Sequence, residues 1–334
     1  MHPPSRGADD NGPMQGHLLQ ADGTVTDATT QSVNVALSTG AFLWLDMSDL
    51  DQEAVDLLSN GFGFHPLAVE DAEHFGQRPK VDEYDDFFYL VVHAAKQDGS
   101  GTVEVHFFYS ERFLVTVHRS PCEAIDAIRD RWVRRPDEAA DSAIMLLYRV
   151  VDALVDTYFP VLAHFDDAID ELEDAILQKP TEEQLGSLFD MKRHLVGLRK
   201  VVTPERDMFA SLVSGISRLP GMTPDAERYF RDLYDHLIRT SDLIDSYRDL
   251  LSGAMDTHLS TVSNRLNEVM KQLTIIATIF LPLSFLTGFF GQNFGWLIGR
   301  IGSLGAFVGL AIGLEAVVAV GLLVLFRRRG WLGR

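Results

Sequence analysis

The chain has 334 residues, enough for two modest domains, and a formal net charge of -19. So acidic a surface argues against a nucleic-acid partner and suits a protein that attracts cations. Cys122 is the sole cysteine, which excludes an intrachain disulfide and a cysteine zinc cluster and fits a reducing compartment.

Residues 1–38 are rich in Gly, Pro, Asp, Thr and Gln and read as a disordered tail without a signal-peptide stretch. His2 and His17 are scattered in it and read as tail histidines without a specific task. Residues 39–136 read as a compact α/β domain. Strands are expected at 41–46, 87–94, 103–109 and 112–118, and helices at 50–60, 65–73 and from Pro121 to Arg134. His93, His106 and His118 fall within or at the end of these strands. Either the register assembles them into a site, or they are ordinary sheet histidines with satisfied ring nitrogens. Asp82, Glu83, Asp85 and Asp86 cluster before a strand. They read as a solvated turn or as a hard-cation site, since Mg²⁺ keeps its waters and is held by one or two carboxylates.

Residues 137–272 read as helical stalk. Ile144, Leu147, Val151, Leu154, Val155, Tyr158 and Leu162 recur three and four apart. Pro180 breaks this run, and Thr181 with Gln184 forms a capping box for the next helix, where Pro204 is a kink. Thr223 caps a last helix with Pro224 at its first position. Nothing stops that helix before the membrane. A hydrophilic helix of such length needs bundling with copies of itself, which implies a homo-oligomer.

Residues 273–290 carry no charge over eighteen positions. At about 1.5 Å per residue they reach about 27 Å, close to a bilayer core of about 30 Å. At about 100° per residue, Asp256, Asn267, Met270, Leu273, Leu281, Ser284 and Gly288 share about a third of the circumference. Small and polar groups at membrane depth point to helix packing or a pore wall. The plain alternative is an anchor helix whose hydroxyls bond back to their own backbone. A second span, 304–326, carries one charged residue, Glu315. A carboxyl there is costly and marks function by default. It can bond to the first span, shuttle a proton, or sit protonated against a neighbour. Arg327, Arg328, Arg329 and Arg334 make 327–334 a basic cytoplasmic tail. Two spans then put the N-terminal part in the cytoplasm and the loop 291–303 outside. With no phosphate loop, nucleophile elbow or metalloprotease motif, no enzyme is expected. A membrane-anchored sensor is the rival from another class.

The run from Leu273 to Pro282, then Leu286-Thr287-Gly288 and Gly291-Gln292-Asn293-Phe294, resembles the CorA family of divalent-cation channels. There the first span ends in Gly-Met-Asn at the pore mouth. Similarity extends to Tyr229–His236, Arg248–Gly253, Ser263–Lys271, His65–Asp71 and Gln77–Val81, covering about 41–332. The resemblance implies an α+β cytoplasmic domain, long stalk helices and a two-helix C-terminal transmembrane hairpin, assembled as a funnel-shaped homopentamer in the cell membrane. It implies uptake of Mg²⁺ and Co²⁺, with Gly291, Gln292 and Asn293 at the outer mouth and the stripe lining the pore. It also implies a regulatory divalent-cation site between subunits, with Asp232 facing Asp82, Glu83, Asp85 and Asp86. Two departures stand out. Gln292 replaces the usual Met, and the loop 291–303 has no acidic residue but carries Arg300. These keep Zn²⁺ transport of the ZntB type open, either coupled to protons through Glu315 or driven by the gradient otherwise.

Overall fold

A computed structural model describes residues 16–135, 142–292, 295–300 and 302–331. The chain divides into two compact units, Met1–Ala175 with Thr181–Met255, and Ile176–Pro180 with Asp256–Arg334.

The first unit is built on seven strands: β1 (Gly16–Gln20), β2 (Val25–Asp27), β3 (Leu43–Met47), β4 (Lys80–Glu83), β5 (Phe88–Ala95), β6 (Thr102–Tyr109) and β7 (Phe113–His118). They form one sheet in the order β2-β1-β3-β7-β6-β5-β4. β3 runs parallel to β7, and the other described pairs are antiparallel. Period-2 alternation sends side chains to both faces, and both are covered. On one face Leu18, Leu43, Leu45, Met47, Val115 and Val117 pack with α1 (Thr30–Thr39), α2 (Gln52–Asp56, continued by a π turn at Leu57–Gly61) and α3 (Pro66–Glu73). On the other lie α4 (Glu123–Arg134) and α5 (Ala143–Asp156), whose apolar residues recur three and four apart.

Residues 16–38 depart from the expected disordered tail. β1 pairs with both β2 and β3, and Thr29 caps α1 through a capping box. The segment has few bulky residues, but Leu18, Leu19, Ala28 and Val33 are all fully buried. Composition averaged over the whole stretch conceals four well-placed apolar side chains at a sheet edge. The sheet domain therefore starts before residue 39. Residues 1–15, with His2, lie outside the described residues.

The three strand histidines do not assemble. His93 and His106 share a face with Glu104 by register, whereas His118 pairs across from Val105 on the opposite face. His93 is held by Thr102 and the Gln77 carbonyl, His106 by Tyr89 and Glu104, and His118 by the Ser120 carbonyl and Asp46.

The helices α6 (Tyr158–Gln178) and α7 (Glu182–Val213) follow, the latter opened by the Thr181–Gln184 capping box and passing through Pro204. They seal a sheet edge. β4 pairs with β5 only as far as Val91, which leaves the later backbone groups of β5 without a strand partner on that side. Glu205 accepts the His93 N–H, Thr157 accepts the Ala95 N–H at 2.7 Å, and Tyr158 Oη donates to the His93 carbonyl at 3.0 Å. Glu205 is fully buried.

The helix α8 (Pro224–Phe290) is 67 residues long. Thr223 Oγ1 accepts the Ala226 N–H at its start. Within the first unit it buries Ala226, Phe230, Leu233, Leu237, Ile244, Tyr247, Leu251 and Ala254 at helical spacing. In the second unit α9 (Gly295–Arg300) is a short helix inside the expected loop, and α10 (Leu304–Arg328) follows, with a π turn at Val308–Ile312.

Candidate ion path and metal-binding group

The second-unit part of α8 has two unlike sides. Ile275, Ile279, Pro282, Leu283, Leu286 and Phe290 are buried or half-buried. At about 100° per residue they share one side of the helix. Asp256, Asn267, Met270, Leu273, Leu281, Ser284 and Gly288 are all exposed, Leu281 at 76%. Their centre lies about half a turn from the covered side. On α10 the covered side is Ala311, Glu315, Val318, Leu322 and Phe326, again three and four apart. Thr287 and Glu315 join the two helices, Oγ1 to Oε1, at 2.8 Å. Thr274 and Thr287 also bond back to the Met270 and Leu283 carbonyls, as span hydroxyls commonly do. Both helices are long and apolar enough to cross a membrane.

At the end of α8 the Gly291 N–H donates to the Thr287 carbonyl at 2.9 Å, and the Gln292 N–H points to the Phe289 carbonyl at 3.4 Å. A Cβ on Gly291 would stand 3.0 Å from that same Thr287 oxygen. Close approach, rather than a left-handed backbone, is what favours glycine here. Asn293, expected at the pore mouth, lies outside the described residues. In α9 the Arg300 guanidinium lies 6.0 Å from the Trp296 ring centroid.

The acidic stretch is partly inside β4 rather than wholly before a strand. Lys80 Nζ binds Asp82 at 2.7 Å and Asp71 at 2.6 Å, so Asp82 already has a cation. Burial lowers the Lys80 pKa, but the hydrogen bonds that Lys80 donates to Asp71 and Asp82, with their charges, outweigh it and leave the pKa raised. Glu83 points to the opposite face from Asp82, and Asp85 and Asp86 are exposed in the turn before β5. These four carboxylates do not converge on one point.

Asp232 has other neighbours. His236, one helical turn on, lies 3.8 Å from it through Nε2. Its Nδ1 lies 3.8 Å from Asp152 and 3.9 Å from Asp156, both on α5. Ligand atoms of Asp152, Asp156 and His236 all fall within 4.8 Å of one another. Asp152 Oδ1 and His236 Nδ1 are buried atoms without a hydrogen-bond partner. Burial raises the Asp152 pKa and the Asp156 charge adds to it, with His236 opposing. Burial also raises the Tyr148 pKa, helped by the charges of Asp152 and Asp232. Carboxylates with one imidazole fit a partly hydrated divalent cation. The paired spacing of Asp152 with Asp156 and of Asp232 with His236 is visible in the sequence. That the two helices meet there is not.

A sequence model described as "CorA-like Mg2+ transporter protein" matches residues 39–328. The chain belongs to the CorA family. The cobalt/magnesium transport protein CorA of Thermotoga maritima is 35% identical over 295 residues, covering 86% of this chain and 83% of that one. A zinc transport protein ZntB from Enterobacter sp. is 31% identical over 197 residues, covering 59% of each. Among solved structures, the CorA magnesium transporter from Methanocaldococcus jannaschii superposes with a TM-score of 0.79 at 22% identity. It covers 95% of this chain and 99% of that one, which establishes the CorA fold for the chain. These CorA-family relatives are transporters, in keeping with the expectation of no enzyme.

Proposed function

We propose that the chain is one subunit of a homopentameric divalent-cation channel that takes Mg²⁺, and also Co²⁺, into the cell. Both termini lie in the cytoplasm, and the loop 291–303 faces outside. One observation carries this reading: in a CorA-family chain, α8 keeps the stripe from Asp256 to Gly288 clear of intrachain cover while its opposite side is covered. Copies of α8 meeting on that stripe would enclose a path. Asp256 concentrates cations at its inner end, and Asn267 offers a polar ring above it. Met270, Leu273 and Leu281 narrow the path and gate it by dewetting. Ser284 and Gly288 let the backbones approach. At the outer mouth the Asn293 carbonyl oxygens, with Gly291 and Gln292 shaping the turn, accept hydrogen bonds from the waters of a hydrated ion. Mg²⁺ gives up water reluctantly, so reading the hydrated ion avoids that cost.

Intracellular Mg²⁺ regulates the path at Asp232. Asp152, Asp156 and His236 complete the group on its own chain, and Glu83, Asp85 and Asp86 of a neighbouring subunit approach it, beside Asp82. A bound cation offsets the mutual repulsion of these carboxylates and favours the closed state. Its loss loosens the helices that carry them.

A second reading, Zn²⁺ uptake, draws on the ZntB relative and on an outer loop without carboxylates. Flux into liposomes holding the purified protein separates the readings. Mg²⁺, Co²⁺ and Zn²⁺ are compared at two external pH values, beside Asn293→Ala. Mg²⁺ entry insensitive to pH, and reduced about tenfold or more in the variant, is expected where a ring of carbonyl contacts worth about 1.4 kcal/mol is lost. Zn²⁺ entry driven by a proton gradient, with Mg²⁺ excluded, overturns the ion assignment. No flux of any ion leaves a sensor.

A further inference from the structure

We infer that Glu315 is a positioning residue for the outer-mouth motif: in its neutral form it holds Thr287, and through Thr287 the helix end from which Gly291 begins the motif. The inference rests on the channel reading above.

The proton count at Thr287 carries it. Thr287 Oγ1 lies 2.8 Å from Glu315 Oε1 and 2.9 Å from the Leu283 carbonyl. A hydroxyl has a single proton to give, and a main-chain carbonyl has none. An ionised Glu315 would have to share that one proton with the Leu283 carbonyl in a three-centre bond, whereas both contacts are full two-centre hydrogen bonds when Glu315 supplies a proton of its own. The carboxyl O–H then donates to Thr287 Oγ1, and the Thr287 O–H donates to the Leu283 carbonyl. The surroundings agree. No charged residue lies in 273–290, and Glu315 is alone in 304–326. Arg300 lies over Trp296, and no ion pair reaches Glu315 among the described residues. An ionised carboxylate at this depth would lack a counter-charge.

The next link is the backbone of Thr287. Its carbonyl accepts the Gly291 N–H at 2.9 Å, and the missing Cβ of Gly291 leaves room for that oxygen. Glu315 lies on the covered side of α10, so the clasp ties the last turn of α8 to the neighbouring span. Without it the turn that carries Gly291 loses its side-chain anchor. The motif then samples more positions, and a ring of copies no longer presents its oxygens at one height.

The experiment uses the full chain in liposomes, with oligomer size checked for each variant. Glu315→Leu and Thr287→Val each lower Mg²⁺ entry at low external Mg²⁺ by about threefold to tenfold, the range of one interhelical hydrogen bond. The half-saturating concentration rises, and the double variant is no worse than either single one. Glu315→Gln and Thr287→Ser rebuild the donor chain and recover most of the entry. Infrared spectra of the wild type are expected to contain a protonated-carboxyl band that vanishes in Glu315→Gln and shifts in Thr287→Val. Full entry in Glu315→Leu overturns the inference. So does a Glu315→Gln variant as damaged as Glu315→Leu, or the absence of the band. If the wild type passes no divalent cation, the channel reading fails and the positioning role fails with it. The band still decides whether the neutral clasp exists.

Discussion

Glu205 shows how one buried group ties helices to a sheet. Its Oε1 accepts the His93 N–H, its Oε2 lies 3.2 Å from Tyr158 Oη, and Tyr158 Oη donates to the His93 carbonyl. The ring closes best when Glu205 is neutral and donates to Tyr158, because the tyrosine then serves the carbonyl without conflict. Burial pushes the Glu205 pKa from 4.5 to about 8, against the hydrogen bonds that the His93 N–H and the Tyr158 hydroxyl can donate to the ionised form. Tyr158 and the His93 main chain are the groups facing it, and no described ion pair reaches it. The unfolded carboxyl ionises at the lower value and the folded one at the higher, so between them folding takes up a proton. Stability from this group is full below about pH 4.5 and is lost as pH rises through about 8. Glu205→Gln keeps the shape and cannot ionise. It is expected to flatten the pH dependence of unfolding across this window by up to about 1.4 kcal/mol per pH unit. Parallel unfolding curves for wild type and variant from pH 5 to 8 would sink this account.

At the scale of elements, α8 is a single helix with a different task on each stretch. Its first-unit part buries an apolar stripe from Ala226 to Ala254. Its second-unit part covers one side and leaves Met270, Leu273 and Leu281 exposed at 53%, 58% and 76%. In water such residues would be a liability, and in the assembly we propose they would line a narrowing. Leu273→Ser places a hydroxyl in that narrowing and lowers the cost of wetting it. Mg²⁺ entry is expected to rise several-fold when internal Mg²⁺ is high, measured by flux into preloaded liposomes. Unchanged entry would remove Leu273 from the gate. The stripe was legible from sequence because helical phase needs no tertiary information. Which side an intrachain neighbour covers was not, because α8 and α10 read as similar apolar runs.

For the whole molecule, the charge of -19 sets a general preference for cations, and the group of Asp152, Asp156 and His236 is where we propose that it becomes specific. If Mg²⁺ binds there in the folded protein alone, it stabilises the fold by mass action, by about 2.7 kcal/mol at a hundredfold excess over the dissociation constant. Asp152→Asn combined with Asp232→Asn is expected to abolish most of that gain, read as the Mg²⁺-dependent shift of thermal unfolding. On the proposed regulation, internal Mg²⁺ is expected to close the wild type, and the same variant should keep conducting at that concentration. A full Mg²⁺ shift in the variant would move the regulatory site elsewhere.

Sequence alone determined the apolar spans, the capping box at Thr181, the cap at Thr223, most of the strands and the family. Each rests on neighbours along the chain or on a local motif, so spacing suffices to see it. Tertiary structure alone decided three matters. Residues 16–27 join the sheet and α1 packs against it because Leu18, Leu19, Ala28 and Val33 are buried there, which average composition cannot register. Asp152 and Asp156 join His236 and Asp232 because α5 and α8 pack together, a meeting of residues far apart in the chain. Glu315 was open to bonding to the first span, and its 2.8 Å contact with Thr287 came only from the packing of α10 on α8, which spacing along the chain does not show.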